Sequence, residues 1–433
     1  MKKKTLQKIS RLFASLVLVG AMSLGTVATA NAANADGSLV WTEDQTAEAA
    51  LTVEYKMGKN VSTPTTTFKY EFTKQSFNSE TTSTVQNRMP SIEAKTVNFT
   101  AANGTDLSTD DTYKLVKGQT TNFLAEFAKT LKDSPASTNG VGVYQYKVSQ
   151  KTPTTITLNN TSDTLVESKA EYTVKIYVAQ KSDKTGLYIK GLVVNQSKDE
   201  SGNESTGSGK IDATPNPHPG TGNEPWSGMV FKNEYLAKND PGSTVTPDPT
   251  KPATYAFMVK NNIKENADTT ESNDFKYSMT LTAPGLTNAA GKTFTYYVYK
   301  NGTLEPVQTG TYGTAITDIT LGKNDCILIK ECFYGSKVEV KQEGRASWTS
   351  TATRTFNNTK DTSDLTVDMG KDLTATGTIG KSDNSVVYNN SYKSVAVTGI
   401  IVNNFPFVMM IVMAMAAFVA IVAVKSRRRM NER

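Results

Sequence analysis

Polar and apolar residues alternate along much of the chain between residues 39 and 393. Successive side chains of a β-strand point to opposite faces, so a period of two indicates strands with one buried and one solvated face. The turn dipeptide Asn301-Gly302 after one such run is typical of a two-residue hairpin. The pattern predicts an all-β fold, with its clearest strands at Phe68–Thr73, Val143–Val148, Tyr172–Val178, Phe275–Leu281 and Phe294–Tyr299.

Two strand-rich regions are separated by a polar segment that contains proline. Residues 39–236 and 253–393 predict two tandem Ig-like β-sandwich domains, and residues 237–252 predict an extended linker. Within the first region, residues 199–225 are dominated by Gly, Ser, Asn and Pro, which favours a mobile loop. Thr121–Leu131 carries apolar residues at the spacing of a short helix or turn.

Both ends of the chain carry targeting patterns. Residues 1–32 combine basic residues, an apolar stretch and small residues, as a secretory signal peptide does. The apolar run Phe405–Val424 has about the 20 residues that a helix needs to cross a bilayer. Residues 425–433 form a basic tail, which the positive-inside rule keeps in the cytoplasm. We therefore expect an exported protein held at the extracellular face of a membrane by a single C-terminal span.

Charge and composition narrow the function classes. The net charge of the whole chain is +6, but residues 1–32 carry +5 and residues 425–433 carry +4. The region between them therefore carries a net charge of −3, which gives no support to a nucleic-acid partner. The only histidine, His218, lies in a Pro/Gly loop without a neighbouring nucleophile, which argues against His-dependent catalysis. The sequence predicts no enzyme, no cofactor and no metal site, although a glycosidase built from two distant carboxylates stays open.

The two cysteines lie close together in sequence. If Cys326 and Cys332 share one strand, their separation is about 20 Å at a rise of ~3.3 Å per residue. A disulfide needs Cα atoms roughly 4.4–6.8 Å apart. We expect two buried free thiols, unless the segment bends.

Short motifs stand in both regions, at Gly142–Ser149, Val230–Asn233, Phe275, Leu321–Asn324, Tyr334–Val340 and Val387–Asn390. Together they resemble the streptococcal-type major pilins, the isopeptide-linkage surface proteins of Gram-positive bacteria. The resemblance covers most of the region between leader and span and keeps the order of the motifs. It implies two pilin-type Ig-like sandwiches.

The resemblance also implies a self-made cross-link in each domain. In that family a lysine on the first strand attacks an asparagine on the last strand, and a buried glutamate shuttles the protons. Here the acceptor positions are kept as Asn233 and Asn390, but the glutamate positions hold Gln150 and Gln342, and the lysine positions hold Val53 and Asn261. Gln has no titrating oxygen, so the cross-linking motif is degenerate in both domains.

Two alternatives stay open at these positions. Lys56 and Lys260 lie near the expected lysines, and a β-bulge would turn either one inward to form an isopeptide. Without a bulge, an odd offset places the side chain on the opposite face of the strand.

Residues 395–399 resemble a degenerate sortase sorting motif, with cleavage between Thr398 and Gly399. The pentapeptide lacks the proline of the family, so a simple membrane anchor is the alternative. Sortase processing would make sortase, peptidoglycan and other pilin subunits partners of the chain. The lysine that receives the next subunit in backbone pilins falls near Trp226, and Lys210 or Lys232 remain as acceptors.

These features predict a non-enzymatic surface protein, a pilin-like fimbrial or stalk subunit displayed on a Gram-positive envelope. The alternative is a monomeric, membrane- or wall-anchored adhesin that binds a host glycan or matrix protein. Trp41, Trp226 and Trp348 are its possible contacts, unless they belong to the core or to strand edges.

Overall fold

The computed structural model of the chain describes residues 34–102, 105–207, 209–218, 225–242, 244–264, 273–393 and 398–431, with side chains omitted at 398–406 and 429–431. The predicted signal peptide, residues 1–32, and residues 395–397 of the predicted sorting motif lie outside this range.

The first sandwich is built from two sheets. Its elements are β1 (Leu39–Val40), β2 (Thr52–Gly58), β3 (Thr66–Phe77), α1 (Ser83–Asn87), β4 (Lys95–Phe99), β5 (Tyr113–Gln119), α2 (Ala125–Asp133), β6 (Gly142–Gln150), β7 (Thr155–Ile156), β8 (Thr164–Val166), β9 (Glu171–Gln180), β10 (Leu187–Lys198) and β11 (Val230–Leu236). One sheet has the order β1-β10-β9-β6-β3-β4 with β7 beside β3, and the other has the order β5-β2-β11-β8.

The second sandwich follows a short strand, β12 (Lys238–Asn239). Its strands are β13 (Phe257–Ile263), β14 (Phe275–Thr282), β15 (Thr293–Lys300), β16 (Thr303–Leu304), β17 (Gln308–Thr311), β18 (Ile316–Leu321), β19 (Cys326–Ile329), β20 (Cys332–Phe333), β21 (Lys337–Gln342), β22 (Trp348–Phe356), β23 (Thr359–Lys360), β24 (Leu365–Thr366), β25 (Leu373–Thr378) and β26 (Ser385–Tyr392). The larger sheet has the order β16-β15-β19-β13-β26-β22-β23, and the smaller has the order β18-β14-β21-β25. The last element is the helix α3 (Thr398–Asn431).

The predicted all-β fold with a C-terminal helix is confirmed. In the alternating strands, the apolar positions face the space between the two sheets; β9, for example, is buried at every second residue. Aromatic rings fill much of the first core, where Tyr55 meets Phe68 edge-on at 5.1 Å between ring centroids. The segment predicted as a helix or turn, Thr121–Leu131, overlaps α2, which buries Phe127 and Leu131.

Two segments predicted to be loop or linker are partly packed. In residues 199–225, Ala213 is completely buried, and the Ile211 N–H donates to the Val194 carbonyl at 2.8 Å. In residues 237–252, β12 pairs with β20 of the second sandwich. The described parts of both segments thus make backbone hydrogen bonds to neighbouring strands, and the mobility of the loop stays a prediction.

Both cysteines are buried and free, as the sequence predicts. They lie on separate short strands, β19 and β20, because the chain bends between them.

Candidate functional site: two buried amide clusters

In each sandwich the last strand runs parallel to, and beside, an early strand: β11 beside β2, the first long strand of the first sandwich, and β26 beside β13, the first strand of the second. In the first sandwich Val53 pairs with Phe231, and Tyr55 pairs with Asn233. In the second sandwich Asn261 pairs with Tyr388, and Ile263, two residues further on, pairs with Asn390. Asn233 and Asn390 therefore occupy equivalent positions, and Val53 is the equivalent of Asn261.

A tyrosine–glutamine pair faces each of these asparagines from the opposite sheet. Tyr70 on β3 pairs with Gln150 on β6, and Tyr277 on β14 pairs with Gln342 on β21. The side chains on the inner faces of the two sheets meet in the core, so each glutamine reaches the asparagine of the last strand. The structure thus brings the predicted acceptor asparagines together with the glutamines at the predicted glutamate positions.

In the second sandwich the amide groups form a closed hydrogen-bonded cluster. Asn390 donates from Nδ2 to Asn261 Oδ1 at 2.7 Å, and Gln342 donates from Nε2 to Asn390 Oδ1 at 2.8 Å. The Ser350 hydroxyl donates to the same Asn390 oxygen at 2.5 Å, and the Tyr277 hydroxyl lies 2.9 Å from Gln342 Oε1.

Asn261 completes this cluster. Its Nδ2 donates to the carbonyls of Leu321 and Gly322, each at 2.8 Å. Asn261 and Asn390 are both 0% exposed. Buried amides are costly unless they are hydrogen-bonded, and here each of the three amides has partners for both its oxygen and its nitrogen.

The first sandwich has the same arrangement with one member missing. Gln150 donates from Nε2 to Asn233 Oδ1 at 3.0 Å, and the Ser168 N–H donates to the same oxygen at 3.0 Å. Val53 is 0% exposed and offers no polar atom where Asn261 stands in the other domain. As a result, Asn233 Nδ2 is buried without a hydrogen-bond partner among the residues that the structure describes.

The electrostatics of both clusters favour neutral groups. Desolvation raises the pKa of the Tyr70 and Tyr277 hydroxyls well above the usual value, so both stay protonated and act as donors. Amide side chains do not titrate in the physiological range. The arrangement can bind strands together, but its own members cannot carry a proton.

A half-buried carboxyl group next to the first cluster was missed by the sequence analysis. Glu200 accepts a hydrogen bond from the Ser168 hydroxyl, whose backbone N–H contacts Asn233. Burial raises the pKa of Glu200. The residue lies in the segment predicted as a mobile loop, where no strand pattern indicates an inward side chain.

The bulge that would turn a nearby lysine inward is not formed. The pairing of β2 with both neighbours is continuous through Lys56, whose ammonium lies 4.9 Å from the centre of the Tyr113 ring on the outer side. Lys260 lies at an outward, half-buried position of β13, which also pairs without interruption. Face alternation therefore places both lysines away from the acceptor asparagines.

The other predicted surface features are distributed as follows. Trp41 and Trp348 are in the cores, 2% and 1% exposed, so neither is available as an adhesin contact, whereas Trp226 is half-buried. Thr398 and Gly399 form the beginning of α3, and cleavage between them stays a prediction. Lys210 pairs with Asp36, and Lys232 is exposed.

One helix among the described residues is long and apolar enough to cross a membrane. It comprises Phe407–Arg428, and none of it is buried against the sandwiches. An exposed apolar helix of this length could anchor the chain in a bilayer.

No family model matches the chain, and no curated protein matches it in sequence. Among solved structures, the major pilin from Streptococcus pyogenes is similar with 14% identity over 80% of this chain and 100% of that chain, at a TM-score of 0.30. The major pilin protein T3.2 from the same organism has 15% identity over 82% of this chain and 100% of that chain, at 0.28. A bacterial adhesin from Mobiluncus mulieris with intramolecular disulfide, isopeptide and ester bond cross-links has 9% identity over 80% and 100%, at 0.19.

Proposed function

We propose that this chain is a non-enzymatic structural protein of a Gram-positive cell surface, a pilin-like fimbrial or stalk subunit that holds tension between its anchor and its outer end. The observation that carries the proposal is the parallel pairing of β2 with β11 and of β13 with β26, over six residue pairs each.

This pairing determines how a stretched domain responds. Tension enters each parallel pair at the start of β2 or β13 and leaves at the end of β11 or β26; in the first sandwich it reaches β2 through the short strand β1, which pairs with β10. In a parallel pair those points are at opposite ends of the ladder, so all its hydrogen bonds are loaded together in shear. In an antiparallel terminal pair they would lie at the same end, and the bonds would open one after another.

The amide clusters reinforce the same strands. Asn390 on β26 is bonded to Asn261 on β13 and to Gln342 on β21, so the cluster joins the first strand, the last strand and the opposite sheet. In the first sandwich, Gln150 joins β6 to Asn233 on β11. These ties are non-covalent, so we expect unfolding under tension to be reversible.

The anchor proposed here is α3, with the sandwiches on the extracellular side. The basic residues after the span, such as Arg427 and Arg428, support a cytoplasmic tail. Sortase processing at Thr398 and attachment to peptidoglycan or to other subunits would turn this anchor into a covalent one. The adhesin alternative loses support because Trp41 and Trp348 are in the cores.

Expression of the full chain in a Gram-positive host, with and without its sortases, tests the proposal. We expect an external protease to digest the sandwiches on intact cells. A sortase-dependent ladder of high mass on denaturing gels would identify the fimbrial form, and a single band would identify the stalk. A soluble cytoplasmic product with an uncut leader would refute surface display.

A further inference from the structure

The junction between the two sandwiches is closed by a buried carboxylate. Glu234 lies on β11, the last strand of the first sandwich, and is only 7% exposed. Its Oε1 accepts a hydrogen bond from the Thr287 N–H at 2.8 Å, and its Oε2 accepts from the Asn288 N–H at 2.9 Å and from Asn288 Nδ2 at 2.7 Å. All three donors belong to the second sandwich.

This set of partners is specific for a carboxylate. Both oxygens of Glu234 face N–H donors, and hydrogen bonds to a charged acceptor are roughly twice as strong as neutral ones. A glutamine at this position would keep the size and one oxygen but would turn an NH₂ group toward an N–H donor. One of the two ends of the side chain would then lose its bonds.

Close backbone contact at a second point makes the junction tight. A Cβ atom on Gly58, at the end of β2, would lie 2.1 Å from the Tyr334 carbonyl oxygen of the second sandwich. At the next residue of the second sandwich, a Cβ on Gly335 would lie 1.9 Å from the Thr112 carbonyl oxygen of the first sandwich. Real Cβ atoms never come this near to an oxygen, so the two backbones touch only because both positions are glycine.

The hydrophobic cores also cross the junction. Leu236, which ends β11, is buried in the core of the second sandwich, and Tyr113 of the first sandwich packs against that core. Conversely, Tyr334 of the second sandwich packs against the core of the first. Between them, β12 extends the chain into a short antiparallel pair with β20.

We propose that the two sandwiches form a single rigid body, latched by Glu234 and by the close approach at Gly58, and that they unfold in one cooperative step. A flexible tandem array joined by a polar linker would have neither the buried carboxylate nor interleaved cores. This inference does not depend on the proposed surface function.

Spin-label distance measurements on the full chain in detergent test the latch. Labels are attached at Lys132→Cys on α2 and Lys360→Cys on β23, which are both exposed; the native cysteines are buried. We expect one narrow distance distribution for the wild-type junction and a broad one for Glu234→Gln and for Gly58→Ala. The nearest contacts of a Cβ on Gly58 all belong to Tyr334, so this change leaves the first sandwich itself intact.

Glu54→Gln is the matched control. Glu54 pairs with Lys117 within the first sandwich at 2.7 Å and makes no part of the junction contacts above, so we expect the narrow distribution to persist. Calorimetry of the same proteins should give one transition for the wild type and two for the latch variants. A broad wild-type distribution, two wild-type transitions, or narrow distributions in both latch variants would overturn the proposal.

Discussion

Asn261 and Asn390 form a side-chain hydrogen bond of 2.7 Å that joins the first and last strands of the second sandwich. The equivalent pair in the first sandwich is Val53 and Asn233, where the buried Nδ2 has no partner among the described residues. The two domains therefore differ in how they hold the same pair of strands, and this difference can be measured.

Replacing Asn261 with Ala should destabilise the second sandwich. The change removes the acceptor of Asn390 and leaves the Leu321 and Gly322 carbonyls without their side-chain donor, at a cost of about 2–4 kcal/mol for several unmade buried bonds. Chemical denaturation measures the loss. Asn262→Ala is the control: Asn262 is half-buried and bonds Asn389, so its loss should be about 0.5–1 kcal/mol, and equal losses would contradict the role of the cluster.

Val53→Asn should be tolerated better than the same change elsewhere in the core. The new amide oxygen can accept from Asn233 Nδ2, which offsets part of the cost of burying a polar side chain. Val148→Asn, at another fully buried position of the first sandwich, has no such compensation and should cost about 1–3 kcal/mol more in the free energy of unfolding. Equal stabilities of the two variants would show that Asn233 does not lack an acceptor.

The double change Asn261→Lys with Gln342→Glu should create a cross-link in the second sandwich. Burial favours the uncharged amine and the protonated acid. The Lys Nζ can then attack Cγ of Asn390, whose Nδ2 leaves as ammonia. Intact mass should fall by one ammonia, whereas Asn261→Lys alone and the wild type should keep their full mass. Loss of ammonia from the wild type would contradict the prediction that neither domain forms a cross-link.

Glu200 should make the first sandwich less stable as the pH rises through the mildly acidic range. Burial raises the pKa of Glu200 in the native state, so the folded chain holds this proton at a pH where the unfolded chain has released it. Stability from this group is present at low pH and is lost as the pH rises through its native pKa. Glu200→Gln should flatten the dependence of the unfolding midpoint on pH, and an unchanged slope would exclude Glu200 as its source.

The native chain should not react with thiol reagents. Burial raises the pKa of Cys326 to about 12, so its thiolate is nearly absent at pH 8, and the pKa of Cys332 is raised further. We expect no reaction with a disulfide reagent until the second sandwich unfolds, and then reaction of both thiols together. A single fast-reacting thiol in the native protein would show that β19 or β20 opens locally.

Alternation along individual strands was enough to predict the all-β fold, because face and period are local properties. Gln150 and Gln342 were found instead through the resemblance of short motifs to a known family. The contacts of Glu234 could not be predicted in the same way. Its donors are more than 50 residues away, and nothing in the local pattern of β11 marks that one polar side chain will be covered by another domain. The position of Glu200 could not be predicted for a related reason. It depends on hydrogen bonds from Ser168 and from the backbone N–H of Lys232, and not on strand periodicity.

The strand β11 runs toward the junction and β13 runs away from it, so the molecule has a direction. A filament made by joining such subunits end to end would be polar, with a tip unlike its base.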